Sequence, residues 1–166
     1  MRARIVLTVV AGVLFSGCTQ VKVFTPQPAP TRVTLTGMPS ARVMVEVNDL
    51  RSGQGESDGL AVVLRGQVES ALSNQEVASS ATKLRLLIDV VEHRSFFTTG
   101  NWNAETRLRI RLLDAHGVAI GGWEAKGTGR RSNMFGYESA RAVAQDSYNS
   151  AVSDLLSSLS SVQLPP

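Results

Sequence analysis

The five residues GESDG, Gly55 to Gly59, match the G-x-S-x-G spacing of a hydrolase nucleophile elbow. In such a turn the central serine attacks a carbonyl, and a histidine oriented by an acid takes its proton. The chain holds two histidines, each near an aspartate in the order Ser–acid–His: Asp89 with His93, and Asp114 with His116. Neither pair suits the work. Asp89 and His93 lie four apart on one expected strand, roughly 13 Å end to end. Asp114 and His116 fall in a hairpin turn, where polar side chains are routine. Ser57 therefore reads as a turn residue, with hydrolysis as the alternative.

Other chemistry has less to build from. The same loop runs G-x-G-x-x-x-G, one residue too long for a dinucleotide fingerprint, and EAKGTG inverts the Gly-Lys order of a P-loop. Two histidines, one cysteine and no HExxH motif supply no metal site. The expectation is a protein that is not an enzyme, with no cofactor and no metal.

The single cysteine, Cys18, sits in VLFSGCTQ. Upstream, Arg2 and Arg4 precede an apolar run from Ile5 to Phe15, broken only by Thr8 and Gly12. A basic start and an apolar core of this length make a secretory signal peptide. The run falls short of the ~20 apolar residues that span a bilayer. FSGC resembles the lipobox of a bacterial lipoprotein signal, with one departure: Phe15 stands where Leu is usual, and Leu14 lies one place early. That resemblance implies a diacylglycerol on the Cys18 thiol, removal of residues 1–17, and acylation of the new amine, with palmitate among the chains. Several chains on one residue hold far more firmly than one. An unmodified lone thiol would be open to oxidation in an exported protein. Thr19 rather than Asp follows the cysteine, which by the same resemblance implies the outer membrane, periplasmic face.

With residues 1–17 removed, 149 residues remain, carrying 15 Lys and Arg against 14 Asp and Glu. This balance lacks the basic footprint of a nucleic-acid binder, so no such partner is expected. The length suits one domain and a tail. With no second cysteine, the fold must rest on a packed core.

Residues 18–40 carry four prolines within TPQPAPTRVTLTGMPS and read as a lipidated N-terminus and tether. Its reach is roughly 25 Å if flexible and about 70 Å if extended. Val33–Thr36 could form a short edge strand instead. The domain is expected over 41–163. ARVMVEVNDL alternates as a strand, and RSGQGESDG turns the chain. Leu60, Val63, Leu64, Val68, Ala71 and Leu72 then recur at helical spacing, with Asp58 or Ser57 as N-cap. KLRLLIDVVEHR reads as a central strand covered on both faces, because Leu87 and Val91 oppose its most apolar side. ETRLRIRLLD and VAIGGWEAKGTG follow as strands, the latter with a bulge at Gly121–Gly122. From Gly136 onward, Tyr137, Ala140, Ala144, Tyr148, Ala151, Leu155 and Leu159 mark a long helix. The order β-α-β-β-β-α, with one apolar stripe per helix, implies an α+β two-layer domain: two helices on one face of a mostly antiparallel sheet.

Two groups could bind a partner. Arg107, Arg109 and Arg111 project from one strand face, about 7 Å apart, towards lipid phosphates or an acidic protein. The plainer reading is a solvated face paired with Glu92 and Glu124. The second group, Phe96, Phe97 and Trp102 in SFFTTGNW, either dips into a membrane or partner or folds back over the sheet end.

The lipobox, the tether, VEVNDLRSGQ, TTGNWNAETRLRIRLLDAHG and the closing helix together resemble the YajG-type family of Gram-negative envelope lipoproteins, over about residues 40 to 160. Auxiliary lipoproteins of envelope transport are a remoter likeness. The resemblance implies location and fold, and lends no activity. It points to a non-catalytic module, anchored through its N-terminal lipid, that binds a protein or lipid partner in envelope assembly or transport. The alternatives are a lipid-anchored hydrolase using Ser57 and a peptidoglycan-binding spacer. Oligomeric state is left open.

Overall fold

Seven elements follow one another in the computed structural model, which describes residues 21–22, 24–28, 41–51, 59–72, 82–132 and 137–162. They are β1 (Val21–Lys22), β2 (Ala41–Asp49), α1 (Leu60–Leu72), β3 (Thr82–Thr98), β4 (Asn101–Leu113), β5 (Ala119–Ser132) and α2 (Tyr137–Ser160). Cys18, Ser57 and Val33–Thr36 lie outside the described residues.

β3 is the central strand. β4 pairs antiparallel along one side of it, and β5 pairs antiparallel beyond β4. Two strands share the other side: β2 runs parallel to Thr82–Val90, and β1 antiparallel to Ser95–Phe96. The one parallel pair is the one joined through a helix, as parallel strands require. The fold is the expected α+β one, and β1 is an addition from inside the segment that reads as a tether.

One sheet face carries the core. Val45, Leu84, Leu86, Ile88, Val90, Leu108, Ile110, Leu112 and Ala125 meet Leu60, Leu64, Val68 and Ala71 of α1 and Tyr148, Ala151, Val152, Leu155 and Leu159 of α2. Both helices therefore lie on this side. The Tyr148 hydroxyl donates to Gln67 Oε1 at 2.6 Å, joining α2 to α1. Burial pushes the Tyr148 phenol above its ordinary range. α1 starts with Gly59 as N-cap: its carbonyl accepts the Val63 N–H at 3.0 Å and its φ is 68°. The cap is thus the glycine after Asp58, a position where a positive φ costs no Cβ clash.

α2 lies flush on β5 because two glycines let it. A Cβ on Gly127 would stand 1.9 Å from the Ser147 carbonyl oxygen, and one on Gly129 would stand 2.5 Å from that of Val143. Asp154 Oδ2 also accepts the Lys126 N–H at 3.0 Å, so the helix occupies a backbone donor of β5.

Two bulges set the faces. In β5 the register shifts opposite Leu112/Leu113, which pair with Gly121 and Ala119, so the extra residue is Ile120 rather than the Gly121–Gly122 pair. In β3 the register shifts between Val90 and Glu92, leaving Val91 unpaired. Side chains alternate with a period of two, so one extra residue exchanges faces beyond it. Glu92 and Arg94 consequently join the open face, while His93 and Ser95 turn into the interior, where they are buried.

Candidate partner surface

The open sheet face is built from the alternate residues of four strands: Arg42, Met44, Glu46 and Asn48 of β2; Lys83, Arg85, Leu87, Asp89, Glu92, Arg94 and Phe96 of β3; Glu105, Arg107, Arg109 and Arg111 of β4; Glu124, Lys126, Thr128 and Arg130 of β5. Among the described residues no element covers it, so the expectation that β3 is covered on both sides is not met. Charged arms do that work instead, and Leu87 and Val91 stay half-buried.

The arginine stripe forms as the alternation requires, and its pairing follows the bulge. Arg107 Nη2 donates to Glu92 Oε2 at 2.6 Å, and Arg94 Nε lies 2.6 Å from Glu92 Oε1, so one carboxylate serves two guanidiniums. Arg111 Nη2 donates to Asp89 Oδ2 at 3.0 Å, and Asn48 Nδ2 donates to Asp89 Oδ1 at 3.0 Å. Asp89 is 4 % exposed, and these two donors compensate its burial. Arg85 grips Glu46 with Nη2 at 2.8 Å and Nε at 3.0 Å. Glu124, expected to pair with the stripe, instead lies 3.1 Å from Lys126; that ammonium first, and Arg107 and Arg109 more weakly, hold its carboxyl below the usual range. Arg109 stands in register between Asp89 and Glu124 without an ion pair among the described residues.

The plainer reading is therefore realised for Arg107 and Arg111, which are held by acids on β3. The face still carries more cations than anions: Arg42, Lys83, Arg109 and Arg130 form no ion pair among the described residues. Pairs exposed on both sides, Arg85–Glu46 and Lys126–Glu124, contribute little stability, a median of roughly 0–1 kcal/mol each, and can exchange partners at small cost, whereas buried Asp89 needs its donors.

The aromatic hairpin resolves into two sides. β3 and β4 join through Thr99 and Gly100, whose φ values of 48° and 76° suit a tight two-residue turn. Trp102, 4 % exposed, folds back beneath α2 with Ala104, Ala140 and Val143. Half-buried Phe97 packs beside it, ring centroids 5.4 Å apart, and Phe24 closes the cluster. Trp102 is thereby removed from any partner surface. Phe96 alone belongs to the open face, with the Arg94 guanidinium 5.2 Å over its ring.

The two acid–histidine pairs do not form. Asp89 is on the open face, and His93 is on the other side of the same strand, its Nδ1 2.9 Å from Thr106 Oγ1 and its Nε2 3.1 Å from the Phe24 carbonyl. Thr106 Oγ1 lies 2.9 Å from Ser147 Oγ. In neutral His93, Nε2–H donates to the Phe24 carbonyl and Nδ1 accepts the Thr106 hydroxyl, while Ser147 shares its one hydroxyl hydrogen between Thr106 Oγ1 and the Ala144 carbonyl, 2.9 Å from each. Asp114 is spent on its turn, accepting the backbone N–H groups of His116 and Val118 at 2.8 Å each.

His93 is thus a clasp for residues 24–28, a role that its position in KLRLLIDVVEHR hides without the Val91 bulge. Gln145 completes the clasp: Oε1 accepts the Gln27 N–H and Nε2 donates to the Gln27 carbonyl, both at 2.8 Å. The first part of the expected tether is therefore docked against β3 and α2.

No protein-family model matches the sequence, and no curated protein sequence matches it. Among solved structures, the chain is similar to a candidate lipoprotein from Caulobacter crescentus CB15, with TM-score 0.46 and 19 % identity, covering 69 % of this chain and 87 % of that one. It is also similar to a PelC dodecamer from Paraburkholderia phytofirmans, with TM-score 0.41, 16 % identity and coverage of 83 % and 97 %. Lipoprotein GNA1162 from Neisseria meningitidis follows, with TM-score 0.36, 14 % identity and coverage of 71 % and 99 %. Likeness at this level carries no argument about activity or partners.

Proposed function

We propose that this chain is a lipid-anchored module of the bacterial envelope, acylated at Cys18 and held on the periplasmic face of the outer membrane. It binds a protein or lipid partner in envelope assembly or transport and performs no catalysis. One observation carries the reading: a basic start, an apolar run of signal length and FSGC end at the chain's single cysteine. YajG-type membership is its finer form, supported by strand and turn patterns alone. Cys18→Ser tests the anchor. Radiolabelled palmitate enters wild type and not the variant; incorporation into both, or into neither, removes the reading.

The open sheet face is the binding surface in this reading. Its unpaired cations favour an anionic partner, drawn in most strongly at low ionic strength. Changing Arg107, Arg109 and Arg111 together to Ser weakens crosslinked capture of that partner from envelopes, and more so at low salt. Unchanged capture by a folded, anchored variant places the partner elsewhere. A lipid-anchored hydrolase using Ser57 remains the second reading, and it lacks either acid–histidine pair as its relay. Ser57→Ala accordingly leaves every cellular phenotype intact.

A further inference from the structure

Three peptide units separate Cys18 from Val21, the first residue paired in the sheet. Fully extended, they span at most ~11 Å. Val21 pairs with Phe96, and the same row continues through Asn103 to Arg130. The tip of the β3–β4 hairpin, Thr99, is three residues beyond Phe96, about 10 Å along the strand. In the other direction Thr82 is fourteen residues away, roughly 46 Å. β1 runs antiparallel to β3, so its N-terminal end, Val21, faces the tip.

The charges at this end divide into spent and unspent. Arg131 donates to Asp146 at 2.8 Å, and Arg94 is shared between Glu92 and Glu105. Arg130, on the open face, and Arg141, exposed on α2 with its guanidinium 5.6 Å over the Phe24 ring, form no ion pair among the described residues. Arg130 stands in the row of Val21 on the open face, and Arg141 lies on the helix side of the sheet. The tip itself, Thr98 to Asn101, is uncharged and mostly exposed.

We infer that the domain stands end-on, its β3–β4 hairpin tip at headgroup level and Arg130 and Arg141 on the phosphates of anionic phospholipids around the anchor. The inference rests on acylation at Cys18. An end-on stance keeps the far end, at the Asp114–Val118 turn, out in the aqueous space and leaves the open sheet face free beyond the row of Arg130.

The test uses the full lipoprotein reconstituted in phosphatidylcholine vesicles with and without phosphatidylglycerol. Wild type has one cysteine, so failure of a maleimide to label it shows that Cys18 is acylated, and labelling removes the anchor reading by itself. Thr98→Cys and Ala115→Cys then each offer one thiol for an environment-sensitive dye. A headgroup-borne spin label quenches the dye at Thr98→Cys several-fold more than at Ala115→Cys. Phosphatidylglycerol deepens that quenching, and Arg130→Ser with Arg141→Ser abolishes the deepening. Equal quenching at both sites means a domain lying on its face and overturns the inference. So does an unchanged phosphatidylglycerol response in the double variant.

Discussion

Gly127→Ala puts a methyl group where α2 already is. The new Cβ would stand 1.9 Å from the Ser147 carbonyl oxygen and 2.5 Å from the Ala151 nitrogen. An ordinary C···O approach is about 3.3 Å, so the helix must rise by about 1.4 Å. Both obstructing groups are backbone, and no rotamer change relieves them. Lifting α2 also opens a gap beneath Tyr148, Ala151 and Leu155, and a gap of this size forfeits much of their dispersion contact. Overpacking costs about 1–3 kcal/mol, and an immovable obstacle points to the upper end. Reduced freedom of the unfolded chain returns about 0.4–1 kcal/mol, leaving a net loss of about 2–2.6 kcal/mol. For a chain of this size the melting temperature falls by about 5–10 °C. Thermal and urea unfolding followed by circular dichroism in a Cys18→Ser background reads the difference. Gly66→Ala is the control of opposite sign: it lies in α1, and its new Cβ would meet nothing within 4 Å. It gains about 0.5–1 kcal/mol from helix propensity. If Gly127→Ala unfolds together with wild type, the flush contact between α2 and β5 is not as described.

Thr106→Val strands His93 Nδ1 inside the protein and costs about 1–3 kcal/mol, whereas Thr106→Ser restores most of it; equal urea midpoints for the two variants would refute the clasp. Tyr148 has its phenol raised by burial, so the unfolded state ionises first and stability falls as pH climbs past about 10. Tyr148→Phe removes that part of the alkaline slope, seen in urea midpoints on either side of this pH. Gln145→Ala frees the Gln27 backbone, and limited proteolysis between Phe24 and Pro28 accelerates in it several-fold relative to wild type.

The elements from β2 to α2 were legible because their periods are strong: Val43, Val45 and Val47 alternate, and Ala140, Ala144, Tyr148, Ala151 and Leu155 recur at 3.6. The α+β arrangement followed from those stripes. β1 was not legible, since two residues carry no period and their partner is distant in sequence. The Val91 bulge was equally hidden, because one inserted residue changes parity without changing composition. It moved Glu92 to the open face beside Arg107, and it turned His93 inwards. The arginine stripe could be read from alternation, yet the pairing of Arg111 with Asp89 depends on cross-strand register. Gly127 and Gly129 looked like ordinary punctuation in EAKGTG; only the approach of α2 gives them a purpose. Trp102 could have been a tip or a lid, and α2, far along the chain, decides for the lid.

The pairing of Val21 with Phe96 also sets an order of events. A chain exported N-terminus first presents Cys18 long before β3 exists to receive β1. Until then, on the anchored reading, the 23 residues from Cys18 to Ser40 set a reach of at most about 80 Å. When β1 docks, the reach between lipid and domain falls to at most ~11 Å. Anchor length is then an output of folding rather than a constant of the sequence. Acylating and sorting machinery would meet the long form, and neighbours at the membrane surface the short one.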